Sequence, residues 1–175
     1  MISFIIASVG RPSLARALAS IELWPGDEIL LVGDNLVSPN MLVRSIQCPP
    51  GNDWGSKERN YATPFARCQY IAHIDDDDEY VPGTRALMQS AIDAAPGRPT
   101  IFRMRYPNGH TLWQSQAIAC GNVGTPMMLI PNMPTRLGVW AEGRDCGDFF
   151  FLNSMKWSAE EIQWRTEVIA QLGHN

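Results

Sequence analysis

Lysine is nearly missing from this chain: of fourteen basic residues only Lys57 and Lys156 are lysine, and the other twelve are arginine. No basic block interleaved with aromatics occurs, so the electrostatic footprint of a dedicated nucleic-acid binder is missing. The four cysteines, Cys48, Cys68, Cys120 and Cys146, are widely spaced and form no CxxC pair. That spacing argues against a zinc site and against a disulfide scaffold, and it makes reduced thiols in the cytoplasm the expectation. No stretch approaches the ~20 apolar residues of a membrane span. The apolar opening, Met1 to Val9, lacks a basic leader and runs into Gly10, Arg11 and Pro12, so it reads as a strand and not as a signal peptide.

What is present bounds the answer further. A chain of 175 residues is long enough for one domain with a substantial core and too short for two ordinary ones. The formal charge is −4, but without the run Asp75 to Glu79 the chain has 13 acidic against 14 basic residues, so its acidity is local. An arginine-rich set of cations suits phosphate and carboxylate, which the planar guanidinium binds at two points.

The acidic run is the most informative feature. Asp75, Asp76, Asp77, Asp78 and Glu79 follow directly on the apolar segment Tyr70 to Ile74. Runs of like charge are often only solvated surface, but this one lies between a strand-like segment and the helix-like stretch from Pro82 to Ala95. An EF-hand loop would match the alternation of Asp75, Asp77 and Glu79, yet Tyr80 stands where that loop requires glycine. Clustered carboxylates at a strand end suit a hard cation such as Mg²⁺ or Mn²⁺, which takes one or two protein carboxylates and leaves positions for substrate phosphates.

The first half alternates strand and helix patterns. Ile2 to Ala7, Glu28 to Val32 and Tyr70 to Ile74 are short apolar runs, as buried parallel strands are, and Leu42 to Gln47 is a weaker one. Leu14, Ala17, Leu18 and Ile21 recur at helical spacing with Ser13 near the cap, and Ser56 to Arg67 and the stretch opened by Thr84 read as two more helices. In the second half, Thr100 to Tyr106 and His110 to Ala119 read as a hairpin about Pro107, Asn108 and Gly109. Met127 to Ile130 reads as a strand, and Asp148 opens a helix through Phe149, Phe150 and Phe151. Ser158 and Glu161 have capping-box spacing for a terminal helix, with a strand over Ile162 to Trp164 as the alternative. The expectation is therefore an α/β domain with a mainly parallel central sheet flanked by helices and a smaller antiparallel part in the second half. His73, inside an apolar strand, reads as a core histidine. Trp54, Trp113 and Trp140 could stack on a sugar or base, although each is more often core.

In order and spacing these segments resemble family 2 glycosyltransferases with the GT-A fold. IIASVGRPSLARALASI is similar to that family's first strand, loop and helix, DEILLVGDN to its second strand and nucleobase loop, and GSKERNYA to its arginine–asparagine helix start. YIAHIDDDDEYVPG closely matches its strand and DxD motif, and the likeness covers roughly residues 2 to 95. Where the family often has two consecutive aspartates, this chain has Gly33 and Asp34.

The resemblance implies a single domain, residues 1–175, with a nucleotide-sugar half (1–95) and an acceptor half (96–175). It implies metal-dependent inverting transfer from a nucleoside-diphosphate sugar, a UDP-sugar first, to a hydroxyl on a glycan, a small molecule or a modified nucleic-acid base. Asp75 and Asp77 would form the DxD pair for Mn²⁺ or Mg²⁺, with Asp75 at the metal or the donor ribose and Asp76 and Asp78 beside the sugar. Ala7, Ser8 and Arg11 would line the nucleotide, Asp34 the base, and Arg59 the diphosphate or base. Asp148 matches the family's catalytic base, with Asp145 in reserve; Asp148 would also serve simply as a helix cap. His174 corresponds in kind to a C-terminal metal ligand of some GT-A enzymes. Two other readings stay open: a nucleotidyltransferase of similar fold, whose glycine-rich arginine–lysine phosphate loop is not evident here, and a non-catalytic nucleotide- or carbohydrate-binding module.

Overall fold

The structure is a computed structural model, and it describes residues 1–49, 51 and 54–173. His174 and the Pro50 part of the break after Cys48 lie outside the described residues. Among the described residues nine strands form one sheet: β1 (Ile2–Ala7), β2 (Glu28–Gly33), β3 (Val43–Gln47), β4 (Tyr70–Asp75), β5 (Glu79–Tyr80), β6 (Thr100–Arg105), β7 (Thr111–Leu112), β8 (Met128–Pro131) and β9 (Gln163–Gln171). Four helices accompany them: α1 (Leu14–Ala19), α2 (Ser56–Ala62), α3 (Thr84–Ala94) and α4 (Gly147–Ser154).

Along the sheet the order is β3-β2-β1-β4-β8-β6-β9-β5, with β7 paired to β6. The strands β3, β2, β1 and β4 run parallel. Beyond β4 the pairing changes: β8 is antiparallel to β4 and β6, β6 is parallel to β9, and β9 is antiparallel to β5. The sheet is therefore mixed, which corrects the expectation of a mainly parallel sheet. Because β5 follows β4 by three residues yet pairs at the far edge with β9, the sheet curls back toward the end of β4.

Burial on both faces explains why the central strands read as unbroken apolar runs. On one face Ile2, Phe4, Ile6, Tyr70, Ala72 and Ile74 join the larger core; on the other, Ile5, Ala7, Leu30, Val32 and Ile71 pack with Ala62 of α2. Period-two alternation puts Ile71, His73 and Asp75 on the α2 side. His73 is buried there, edge-on to Trp140 and Phe151 at ring distances of 5.0 and 5.6 Å. Burial, with the Arg59 charge added, holds it well below the usual imidazole pKa, so it is a neutral core residue.

Several local expectations change. The helix opened by Thr84 is capped by Gly83 in a left-handed conformation, and the Thr84 hydroxyl instead donates to the carbonyls of Val81 and Ile169. Only Thr111–Leu112 of the second hairpin arm is strand. The terminal helix is absent: Ala159–Glu161 make a single 3₁₀ turn and the long strand β9 follows. Cys120 and Cys146, 26 residues apart, are joined in a disulfide, while Cys48 and Cys68 are buried thiols. The free-thiol expectation is corrected for the first pair, and with it goes the thiol argument for a cytoplasmic location. Among the described residues no helix is long and apolar enough to cross a membrane.

One buried ion pair ties α3 to the opening of the sheet. Arg85, on α3, donates to Asp27 through Nε at 2.6 Å and Nη2 at 3.1 Å, and Asp27 also accepts from the backbone N–H groups of Ile2 and Trp24. Burial pushes the Asp27 carboxyl up, but these donors outweigh it and hold it below the ordinary aspartate value. Asp27→Ala leaves Arg85 buried without its partner and is expected to cost about 3 kcal/mol or more in urea unfolding at neutral pH. The wild-type contribution is present above the unfolded-state pKa of about 3.9 and is lost as pH falls through the depressed folded value. A loss below about 1 kcal/mol would show that the pair does not anchor α3.

Candidate active site

The site forms where β1 and β4, adjacent and in register with Ala7 beside Asp75, run out of the sheet. Ligands of open α/β sheets bind beyond such carboxyl ends. A cavity of about 470 Å³ opens there, lined by Ala7, Ser8, Val9, Arg11, Gly51, Trp54, Gly55, Glu58, Arg59, Asp75, Asp76 and Asp77. Seven residues singled out from the sequence, Ala7, Ser8, Arg11, Arg59, Asp75, Asp76 and Asp77, thus share one wall. Asp34 does not: it is exposed at the end of β2 and outside that lining. Gly33 before it has no room for a side chain, since a Cβ would lie 2.1 Å from the Ser8 carbonyl oxygen.

Each carboxylate of the acidic run has a different environment. Asp75 is paired with Arg59, whose guanidinium is buried, also donates to the Trp54 carbonyl at 2.8 Å, and lies 4.7 Å from the Trp140 ring centre. Asp76 is buried and accepts from Ser8 Oγ at 2.7 Å, the Val9 N–H at 3.2 Å and Arg11 Nη1 at 3.1 Å. Its part in the site is to hold the loop between β1 and α1 against the end of β4. Asp77 takes the same Arg11 nitrogen at 2.8 Å. Asp78 is buried and accepts the Gly173 N–H; burial, then repulsion from Asp75, pushes it up to about 8.

Asp75 and Asp77 fit a hard divalent cation. Both offer oxygen ligands, both open onto the same cavity, and their side chains are 33% and 24% exposed. Burial raises the Asp75 carboxyl, and the charges of Asp77 and Asp76 add to that against the opposing effect of Arg59; a cation would relieve this repulsion. Among the described residues no three His, Cys, Asp or Glu side chains converge on one point. Such a cation would therefore take its other positions from phosphate and water, as Mg²⁺ usually does.

Asp148 shares two cavities with Asp75. It is the second residue of α4, whose N-cap is Cys146 with no side-chain cap bond, and its Oδ1 accepts the N–H of the next residue, Phe149, at 2.7 Å, so it is not the helix cap that the sequence also allowed. One of the two cavities, of about 270 Å³, includes Trp54, Trp140 and Asp145; the other, of about 320 Å³, includes Asp77, Asp78, Tyr106 and Thr125. Burial raises the Asp148 carboxyl, and the Asp75 charge raises it further. Asp145 is exposed at the rim of the smaller one. Three contributors escaped the sequence reading: Thr125, which hydrogen-bonds Asp75, and the Cys120–Cys146 bridge, which ties the loop before β8 to the start of α4. None has a spacing signal in the sequence.

No protein-family model matches the sequence, and comparison with curated proteins by sequence likewise finds no match. The fold does match solved structures. Residues 1–349 of Staphylococcus aureus TarS align over 98% of this chain with a TM-score of 0.75 at 14% identity. The same TarS fragment in complex with UDP-GlcNAc aligns over 99% at 0.72 and 14%, and its complex with UDP over 97% at 0.68 and 16%. The chain thus shares the fold of that TarS fragment. The chain spans about 60% of that fragment, 58% and 59% in its two complexes.

The loop is predicted to depend on Asp76. Asp76→Ala leaves Ser8 and the Val9 N–H without their acceptor and is expected to lower stability by roughly 1–3 kcal/mol. A thermal melt with urea unfolding checks it; unchanged stability would show that the loop holds itself.

Proposed function

We propose that this chain is a metal-dependent inverting glycosyltransferase that moves a sugar from a UDP-sugar to a hydroxyl acceptor. The observation that carries the proposal is that Asp75 and Asp77 line the cavity beyond β1 and β4 and also share an adjoining cavity with Asp148. The UDP and UDP-GlcNAc complexes of TarS, a protein of the same fold, support the choice of donor.

In this reading Ala7, Ser8 and Arg11 line the nucleotide, Arg59 steadies Asp75 and adds positive charge beneath the diphosphate, and Asp75 and Asp77 hold Mn²⁺ or Mg²⁺. When bound, the metal neutralises charge on the departing diphosphate. Asp148 takes the proton of the acceptor hydroxyl as its oxygen attacks the anomeric carbon from the face opposite the diphosphate. The new glycosidic bond forms, the bond from anomeric carbon to phosphate oxygen breaks, and its electron pair leaves with UDP. A base must be deprotonated to act. The raised Asp148 pKa therefore places the acid limb of the rate profile above the ordinary aspartate value of about 3.9.

Two outcomes test this. UDP is expected to raise the melting temperature with Mn²⁺ present and much less with chelator; equal shifts would remove the metal from donor binding. Asp148→Asn keeps the shape of the side chain and an oxygen for the Phe149 N–H, and is expected to retain UDP-sugar affinity while transfer falls by roughly 10² or more. Near-normal transfer in that variant would eliminate Asp148 as the base and make Asp145 the next carboxylate to replace.

A further inference from the structure

A fourth cavity, of about 490 Å³, adjoins those of the site and has no part in the mechanism above. It shares Tyr106, Leu172 and Gly173 with the cavity that contains Asp148, so the two adjoin across the Tyr106 side chain. Tyr106 stands close enough to the centre for the charges of Asp148 and Asp78 to reinforce the effect of burial on its phenol, which stays neutral.

The far wall carries Arg16 and Arg105. Arg16 is 56% exposed and pairs with Glu79 at 3.2 Å. Arg105, exposed at the end of β6, makes no side-chain hydrogen bond or ion pair among the described residues. Its backbone is nevertheless fixed, because its carbonyl accepts the Leu172 N–H at 2.9 Å and it is in register with Gln171 of β9. An unpaired guanidinium on a rigid strand end, facing a cavity large enough for a phosphorylated group, is suited to an anion.

We propose that this cavity holds a phosphate of the acceptor, bound by Arg105 with Arg16 beside it, while the acceptor hydroxyl reaches past Tyr106 to Asp148. The electrostatics favour this orientation. With the donor diphosphate beside Asp75 to Asp77 at the centre, a second phosphate there is repelled; Glu79 in the neighbouring cavity is engaged by Arg16, so Arg105 offers that phosphate a cation and the hydroxyl end is left to point inward. The proposal rests on the glycosyltransferase reading for the role of the ligand but not for its binding.

The test titrates inorganic phosphate, glycerol 3-phosphate and neutral glycerol into the full chain with and without saturating UDP, followed by NMR or calorimetry. With the donor cavity filled by UDP, the wild type is expected to bind both phosphates and not glycerol. Arg105→Ala should weaken phosphate binding at least tenfold, Arg105→Lys should retain part of it, and UDP affinity should be the same in all three proteins. Tighter binding of glycerol 3-phosphate than of inorganic phosphate marks a subsite for an acceptor phosphate; equal binding marks an adventitious ion only and overturns the proposal. Phosphate binding that is absent from the UDP-saturated wild type, or indifferent to Arg105→Ala, overturns it as well. Failure of UDP itself to bind would count against the glycosyltransferase reading, and the Arg105-dependent phosphate site would still be read in the titration without UDP.

Discussion

The contact between Arg59 and Asp75 organises the site. Four aspartates in a row at the end of one strand repel one another, and burial makes that repulsion more costly than it would be in water. The fold answers each charge separately. Arg59 lies beneath Asp75, Arg11 with Ser8 engages Asp76 and reaches Asp77, and the Gly173 N–H meets Asp78. The compensation fixes three pieces of chain around the strand end: the loop after β1, the start of α2, and the end of β9. A cavity with an anionic floor and cationic flanks is the result, the arrangement that a cation and a diphosphate together would complement.

Much of the first half was legible in the sequence for a physical reason. β1, β2 and β4 are covered on both faces, so each is a continuous apolar run that ends at a polar turn. The same reasoning placed the acidic run beyond the sheet and made His73 a core residue. The second half was less legible because its elements depend on partners distant in sequence. β9, Gln163–Gln171, is only partly buried and alternates weakly, and its identity as a strand comes from β6 and β5 on either side. The helix suggested by Ser158 and Glu161 is in fact one turn, in which the Glu161 carboxylate accepts the Ser158 N–H before the chain enters that strand. Long-range pairing also hid the antiparallel placement of β8 against β4 and the bond between Cys120 and Cys146.

Residue roles show the same division. The resemblance was enough to bring Ala7, Ser8, Arg11, Arg59, Asp75, Asp76 and Asp77 to one cavity, but not to say what each would touch. Asp76, expected beside the sugar, is turned into the loop it supports, and Arg59 is a buried cation and not an exposed helix charge. Asp34 stands apart from the cavity lining, where the close passage of the Ser8 backbone over Gly33 leaves no space for a second acidic side chain. The segment that the resemblance would assign to the base is thus where this chain departs furthest from the family pattern, whereas the strand end that it would assign to the phosphates follows it.

The most direct measurement of the central claim is a crystal structure of the chain with UDP and Mn²⁺, using manganese anomalous scattering to locate the metal independently of the nucleotide. The account predicts an anomalous peak at coordination distance from Asp77 or Asp75 and from the UDP phosphates, with the nucleotide in the cavity lined by Ser8, Arg11 and Arg59. Nucleotide bound elsewhere, or bound there with the metal away from both aspartates, would contradict it.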